Sequence, residues 1–322
     1  MCKFGLLFIA ARRRFPLQSD IIFGSHIRET LDGRQRVKTA IATDSNSGIF
    51  AGEARSLGVH VIPMPVIIEG ATYYEGVDLT PQALYQAQLA HRDVSSSQPS
   101  PAEVSGLFES LLASGYDEVV YIPMSSGLSG SYQTARMLAE DFGGRVQVVN
   151  NHRISVTQRL SVEDALRLRE RGCSALKIRE TLERTGLDST ILLGVETLEY
   201  LKKGGRVTPA AAALGTLLQI KPLLIIKGER LDAFAKVRGS KACCKRLVQE
   251  IRKDVDEMKA AGIPITVCVA DSLTDEAKRE EWKALALETF AGEEICYDPL
   301  TCSIGCHAGP GAFGMGVCRR AL

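Results

Sequence analysis

Residues 119–137, VVYIPMSSGLSGSYQTARM, leave this chain few folding choices. The apolar, β-branched run over 118–123 reads as a buried strand, and a helical pattern starts at about Ser131. Between them lies Met124-Ser125-Ser126-Gly127-Leu128-Ser129-Gly130, in which three hydroxyls surround glycines that let backbone come close to a ligand. A strand end feeding a helix N-terminus is where open α/β sheets bind ligands, and the free N–H groups there favour an anion. One capping serine would satisfy the helix start. Three serines exceed that need and mark the loop as a candidate site.

The flanking sequence repeats the strand–loop–helix pattern. Residues 37–44 form a first short strand running into Ser45-Asn46-Ser47-Gly48, and a helix over 51–57 follows. Residues 59–68 are β-rich, but Pro63 and Pro65 keep them from being a central strand throughout, and Glu69-Gly70 turns them towards 71–74. Thr80-Pro81 starts a helix to about His91, and Ser100-Pro101 with Glu103 is a capping box. That box explains Ser100; Ser95, Ser96 and Ser97, read as loop before it, remain unexplained. A strand over 146–149 and helices over 161–171 and 175–185 complete the unit. Alternating strand and helix from 38 to about 189 implies a mostly parallel sheet covered on both faces.

A second α/β unit spans 190–322. Its pattern is a strand over 190–195, a glycine-stopped helix over 199–206, a small-residue helix over 209–218 and a strand over 222–226. Glu229-Arg230 turns into a strand over 231–237, followed by a helix over 241–259, a strand over 265–270, a helix over 275–290 and a strand over 294–297. It closes on a glycine-rich tail, 305–314, GCHAGPGAFG. The 322 residues exceed what one core usually holds, which agrees with two domains. Residues 1–37 stand apart. FGLLFIAA over 4–11 is too short to span a membrane, and its Arg12-Arg13-Arg14 follows rather than precedes the apolar run, unlike a secretory signal. They read as a disordered extension or as translation from an upstream start, with a membrane-touching anchor as the minority reading.

Charge and motifs exclude several functions. With 39 basic and 38 acidic residues the chain lacks the basic excess of a nucleic-acid binder. No apolar run is long enough for a membrane span. Nine irregularly spaced Cys read as reduced thiols in a cytoplasm. There is no Walker loop and no dinucleotide fingerprint. Met124 stands where a hydrolase elbow needs its first glycine, and no spacing proposes a triad through His91, His152 or His307. Cys296, Cys302, Cys306 and His307 lack the paired spacing of a metal site, so none is expected. Cys243-Cys244 on a helix cannot aim both thiols one way and reads as packing.

Three further residues stand out. His307, read in a Gly/Pro loop, has no helix face to fill, so packing explains it poorly; a surface loop histidine remains open. Arg206 after two glycines is a candidate, or simply a cation at a helix end. Arg238 follows a strand and is most simply a solvated charge.

Taken together, the chain from about Thr39 onward resembles the DegV family of fatty-acid-binding proteins. The likeness rests on Ala42-Thr43-Asp44-Ser45, Gly76-Val77-Asp78-Leu79-Thr80, Ser96-Ser97-Gln98-Pro99-Ser100-Pro101, the serine loop continuing to Ser131-Tyr132-Gln133, LEYLKKGGR over 198–206, and His307-Ala308-Gly309-Pro310-Gly311. The resemblance implies a two-domain α/β protein, divided here as 38–189 and 190–322, with a long-chain fatty acid such as palmitate, stearate or oleate in a tunnel between the domains. It implies that Ser96 and Ser129, with Ser126 in reserve, hold the carboxylate, with His307 near the headgroup. It also implies a carrier with no cofactor and no catalysis of its own. Some members present the acid to a separate kinase for acyl-phosphate formation and phospholipid metabolism; Arg206 and Arg238 look like contacts for that fatty acid kinase.

The sequence departs from the pattern in three places. Ser96 replaces the usual Thr, Asn150-Asn151-His152-Arg153 replaces an acidic, small-residue segment, and Cys302 and Cys306 flank the histidine segment. The second departure bears on chain length and tunnel shape. The competing readings are an enzyme acting on an acyl or phosphorylated small molecule in the same crevice, and a ligand-dependent scaffold. The absence of an acid–base pair argues against the enzyme, and co-purifying lipid would argue against the scaffold.

Overall fold

A computed structural model describes residues 37–213, 220–226 and 230–321. The extension expected over 1–37 lies outside them except for Val37, as do the end of the helix expected over 209–218 and Glu229.

The chain begins with β1 (Thr39–Asp44), α1 (Ala51–Leu57), β2 (Val59–Ile62), β3 (Pro65–Ile68), β4 (Ala71–Tyr74), α2 (Pro81–Leu89), β5 (Val94–Ser96) and α3 (Pro101–Ala113). It continues with β6 (Glu118–Ile122), α4 (Ser131–Ala139), β7 (Val146–Val148), α5 (Val156–Glu170) and α6 (Ala175–Gly186). Strands β2-β1-β6-β7 form a parallel sheet in that order. β1 and β6 are buried on both faces, which is why their sequences are continuous rather than alternating apolar runs. The proline-bearing segment does leave this sheet. β3 pairs antiparallel with β4 and with β5 in a separate three-stranded sheet. The serines expected in a loop are therefore partly strand: Ser95 and Ser96 stand opposite Ile67 and Val66. Three adjacent hydroxyls hide a strand because its period-two signal is too short to read.

The remainder is β8 (Ser189–Gly194), α7 (Glu199–Gly204), α8 (Pro209–Ala212), β9 (Ile220–Ile226), β10 (Asp232–Arg238), α9 (Ser240–Ala260), β11 (Ile265–Asp271), α10 (Glu276–Thr289), β12 (Ile295–Pro299), α11 (Cys302–Ala308) and β13 (Phe313–Arg319). Its six strands form one sheet, β10-β9-β8-β13-β11-β12, antiparallel except between β11 and β12. One expectation changes here. The glycine-rich tail is not a loop: it holds α11 and leads into β13, a central strand. Glycine obscured that strand in the sequence. Gly314 and Gly316 lack the β-branched side chains that signal a strand, yet no side chain fits well there. A Cβ on Gly316 would lie 2.9 Å from the Thr190 carbonyl of the neighbouring strand.

Helix α5 starts at Val156, five residues before its apolar pattern suggested, and packs against strands of both large sheets. Before it, the Asn150–Arg153 departure buries two of its four residues, Asn151 and Arg153, in a hydrogen-bonded knot. Asn151 Nδ2 donates to the Pro123 carbonyl at 2.6 Å, and the Arg153 guanidinium, fully buried, donates to the carbonyls of Thr185 (2.9 Å) and Arg319 (2.8 Å). A buried cation of this kind is held by hydrogen bonds to its fixed donor fork rather than by a counter-ion.

Candidate functional site

The serine loop is shaped by what lies beneath it. Asp44, buried at the end of β1, accepts the Met124 N–H at 3.0 Å, which anchors the chain as it leaves β6. The Ser125 N–H then donates to the Arg153 carbonyl at 2.9 Å, and the Ser125 carbonyl accepts the N–H groups of Leu128 (3.0 Å) and Ser129 (3.2 Å). The loop is thus a tight turn on the buried Asn151–Arg153 knot. Ser129 lines a cavity, and its Oγ lies 2.8 Å from Ser131 Oγ while accepting the Ser131 N–H at 3.2 Å. It therefore tends the start of α4 and faces the cavity at once. Ser126 does not line the cavity; its N–H points to Asn150 Oδ1 at 3.4 Å.

The opposite wall comes from β5 and α11. Ser96 Oγ and His307 Nε2 are 2.8 Å apart, and both residues line the cavity. His307 sits in the last turn of α11 rather than in a loop. Its ring lies against Gly204, where any Cβ would collide with Nδ1. Burial, reinforced by the Arg206 charge, pushes His307 down to about 4, so the imidazole is neutral near pH 7. Arg206 lines the same end of the cavity, with Nε 3.4 Å from the Leu128 carbonyl and Nη1 on the Gly204 carbonyl. Arg238 lies elsewhere, exposed at the end of β10 and outside the cavity. The structure thus brings together Ser96, Ser129, His307 and Arg206, and leaves Ser126 and Arg238 outside the wall.

Sequence reading missed Asn46, Gln98 and Ser303, which also line the cavity. Gln98 was legible in principle, since it follows Ser96 and Ser97. Gln98 Nε2 donates to Thr134 Oγ1 at 3.0 Å, and its Oε1 would lie 2.9 Å from a Cβ on Gly130. Asn46 and Ser303 meet only through the fold: Ser303 Oγ lies 2.7 Å from Asn46 Oδ1 and 2.9 Å from Glu75 Oε2, within hydrogen-bond reach of both. Burial raises the Glu75 carboxyl to about 7, with no cation among its hydrogen-bond partners to oppose it.

The cavity measures about 940 Å³, its open mouth included. Beyond the polar end its lining is aliphatic, including Ile191, Leu193, Ile226, Leu231 and Leu300. No Asp or Glu lines it among the described residues. The two nearby thiols of α11 are held protonated by burial, Cys306 raised to about 11 and Cys302 to about 12. Among the described residues no group of three His, Cys, Asp or Glu is placed to hold a metal, and no helix is long and apolar enough to cross a membrane. Such a cavity suits a ligand with one polar end and a long apolar body. The polar end offers hydroxyls, a neutral imidazole and one guanidinium, a set that complements an anion.

The family model described as "Uncharacterised protein, DegV family" matches residues 38–320. A DegV domain-containing protein of Deinococcus radiodurans is 36% identical over 279 residues, covering 86% of this chain and 97% of the relative. Among solved structures, a fatty-acid-binding DegV family protein from Thermus thermophilus is 31% identical with a TM-score of 0.79, covering 88% of this chain and 100% of that one. A stearic-acid-binding protein from Eubacterium ventriosum is 25% identical with a TM-score of 0.78, covering 88% of this chain and 99% of the other.

Proposed function

This chain belongs to the DegV family, and from that premise we propose that it binds a long-chain fatty acid, carboxylate at Ser96, Ser129 and His307 and tail in the aliphatic cavity. The observation that carries the reading is the division of one cavity into a hydroxyl–imidazole end, with Ser96 and His307 2.8 Å apart, and a long aliphatic remainder. Each buried CH₂ contributes about 0.8 kcal/mol, so a tail of about fifteen methylenes offers on the order of 10 kcal/mol gross, before ordering and association costs. The tail supplies affinity. The head must be hydrogen-bonded or it costs several kcal/mol. A neutral His307 serves this role without trapping the carboxylate in a fixed ion pair. Arg206 at the same end adds positive potential and reinforces the burial that keeps the imidazole neutral.

In this reading the protein carries the acid and leaves chemistry to a partner, a fatty acid kinase that phosphorylates the carboxylate. Arg206 at the cavity and Arg238 on the exposed end of β10 are its proposed contacts. The proposed domains are 38–189 and 190–322, with the acid between them.

The test is mass spectrometry of an organic extract from purified full-length protein, beside a Ser96→Ala/Ser129→Ala double variant. A stoichiometric long-chain acid in the parent, depleted in the variant, is the expected result. A parent that carries no lipid and takes up neither palmitate nor oleate overturns the reading.

A further inference from the structure

Strand β13 alternates strictly. Phe313, Met315 and Val317 pack into the core beneath α9, so Gly314, Gly316 and Cys318 face the other way. These three define successive rungs across the central strands. Gly314 stands between Leu193 and Ala270, Gly316 between Ile191 and Cys268, and Cys318 between Ser189 and Thr266. The first two rungs line the cavity; the third does not, and all its members are buried. The loop from His307 enters β13 at Phe313, so the Gly314 rung is nearer the polar end. The cavity therefore covers two rungs, spaced roughly 7 Å apart along the strand, and stops before the third.

What stops it is visible at the two glycines. A Cβ on Gly314 would meet only Leu192 O (3.2 Å) and Leu193 Cδ1 (3.4 Å), both from the adjacent strand, so the space above is open. A Cβ on Gly316 would also meet Thr157 Cγ2, at 3.3 Å, from the first turn of α5. Thr157 cannot easily turn away. Its Oγ1 donates to the Ile154 carbonyl at 2.6 Å and accepts the Ile154 N–H at 3.1 Å, which aims the methyl at the glycine.

We propose that the Thr157 methyl, seated on Gly316, is the stop that sets how long an acyl chain this cavity admits; the inference rests on the fatty-acid reading above. The side chain acts on specificity and not on the headgroup.

Thr157→Ser tests it cleanly, because serine keeps both hydrogen bonds and removes only the methyl. Cys268→Ala, on the same rung, is the second variant. Delipidated full-length proteins would be titrated with saturated acids of increasing length, from myristic to arachidic, odd chains included. Thr157→Ser should shift the preferred length upward. Affinity for the next longer acid, relative to the parent's best, should rise up to about fourfold, the factor equivalent to about 0.8 kcal/mol for one buried CH₂. Cys268→Ala should shift preference the same way. A parent that binds while Thr157→Ser keeps its length profile overturns the stop, whether or not Cys268→Ala moves it. A parent that binds no fatty acid removes the underlying reading and the stop with it.

Discussion

Two Asp–Ser turns support the site from opposite sides, and they solve the same local problem with different chemistry. Asp44-Ser45 ends β1 and Asp271-Ser272 ends β11; both aspartates are fully buried. In each, Oδ1 accepts the N–H two residues on, from Asn46 at 3.1 Å and from Leu273 at 2.9 Å. In each, the serine hydroxyl both donates and accepts. Ser45 Oγ donates to Glu75 and accepts the Met64 N–H; Ser272 Oγ donates to the Gly309 carbonyl and accepts the Ala312 N–H. The contrast is in charge. Asp271 receives the Arg279 guanidinium at 3.3 Å and the Tyr297 hydroxyl at 2.9 Å. Asp44 receives only neutral donors: Gln158 and Asn46 side chains and the Met124 N–H. Its carboxyl is accordingly raised, burial being the main cause. The β1 side of the site thus rests on buried carboxyl groups without cations, while the β11 side rests on an ion pair with an edge in solvent.

The largest effect should come from Asp44→Ala. It strands donors from Gln158, Asn46 and Met124 in a place water does not reach, and each costs about 1–3 kcal/mol, not additively. We expect roughly 4 kcal/mol of lost stability in urea unfolding, together with weakened ligand uptake, because Met124 and Asn46 both line the cavity. A loss under about 1 kcal/mol would show that the neutral donors find other partners.

The next effect is pH dependence. Glu75, raised from 4.5 to about 7, belongs to the Asp44 side through Ser45 and Ser303. A raised carboxyl stabilises the fold in its neutral form. That contribution is complete below about pH 4.5 and is lost as pH rises through about 7. His307 has the opposite sign. Lowered from 6.5 to about 4, it contributes fully above about pH 6.5, and that is lost as pH falls towards 4. The two nearly cancel between about pH 4.5 and 6.5, so the parent's curve alone is uninformative. The difference between parent and Glu75→Gln isolates the carboxyl. It should move against the parent, by on the order of 3 kcal/mol, as pH rises from about 4.5 to about 7. A flat difference would mean that Glu75 stays ionised in the fold.

Asp271→Ala should cost less than Asp44→Ala, about 2 kcal/mol, although it removes as visible a cluster. Arg279 reaches solvent with 28% of its side chain exposed, and so can be rehydrated when its partner goes. The same urea series measures it. Equal losses for the two aspartates would erase the distinction between the turns.

Why the site was only partly legible follows from the same turns. Sequence patterns read the strand before the serine loop, the capping box at Ser100 and the parallel sheet because each depends on residues within a few positions of one another. The motif residues Ser96, Ser129, His307 and Arg206 were visible through family resemblance, and the fold sets all four on one cavity. What joins Ser303 to Asn46 and Glu75 spans more than two hundred residues, and no local pattern encodes it. In the sequence His307 reads as a loop residue because glycine weakens the helical signal on both sides of it. Yet Gly305 is where Tyr85 of α2 crowds the helix, its hydroxyl 2.8 Å from where a Cβ would stand. The glycines that blurred α11 and β13 are the ones close packing demands.

The smallest effect sharpens the comparison most. Arg279→Gln keeps Asp271 buried and removes only its cation. If the β11 turn is held chiefly by the ion pair, the loss should approach the several kcal/mol of an uncompensated buried charge. If the N–H of Leu273 and the hydroxyl of Tyr297 suffice, the loss should be about 1 kcal/mol or less, as for a partly exposed pair. We expect the smaller value, because Asp44 persists on neutral donors alone. Urea unfolding of parent and Arg279→Gln at one pH measures the loss. A loss near 4 kcal/mol would make the cation, not the hydrogen-bonded turn, the element that holds the loop behind His307.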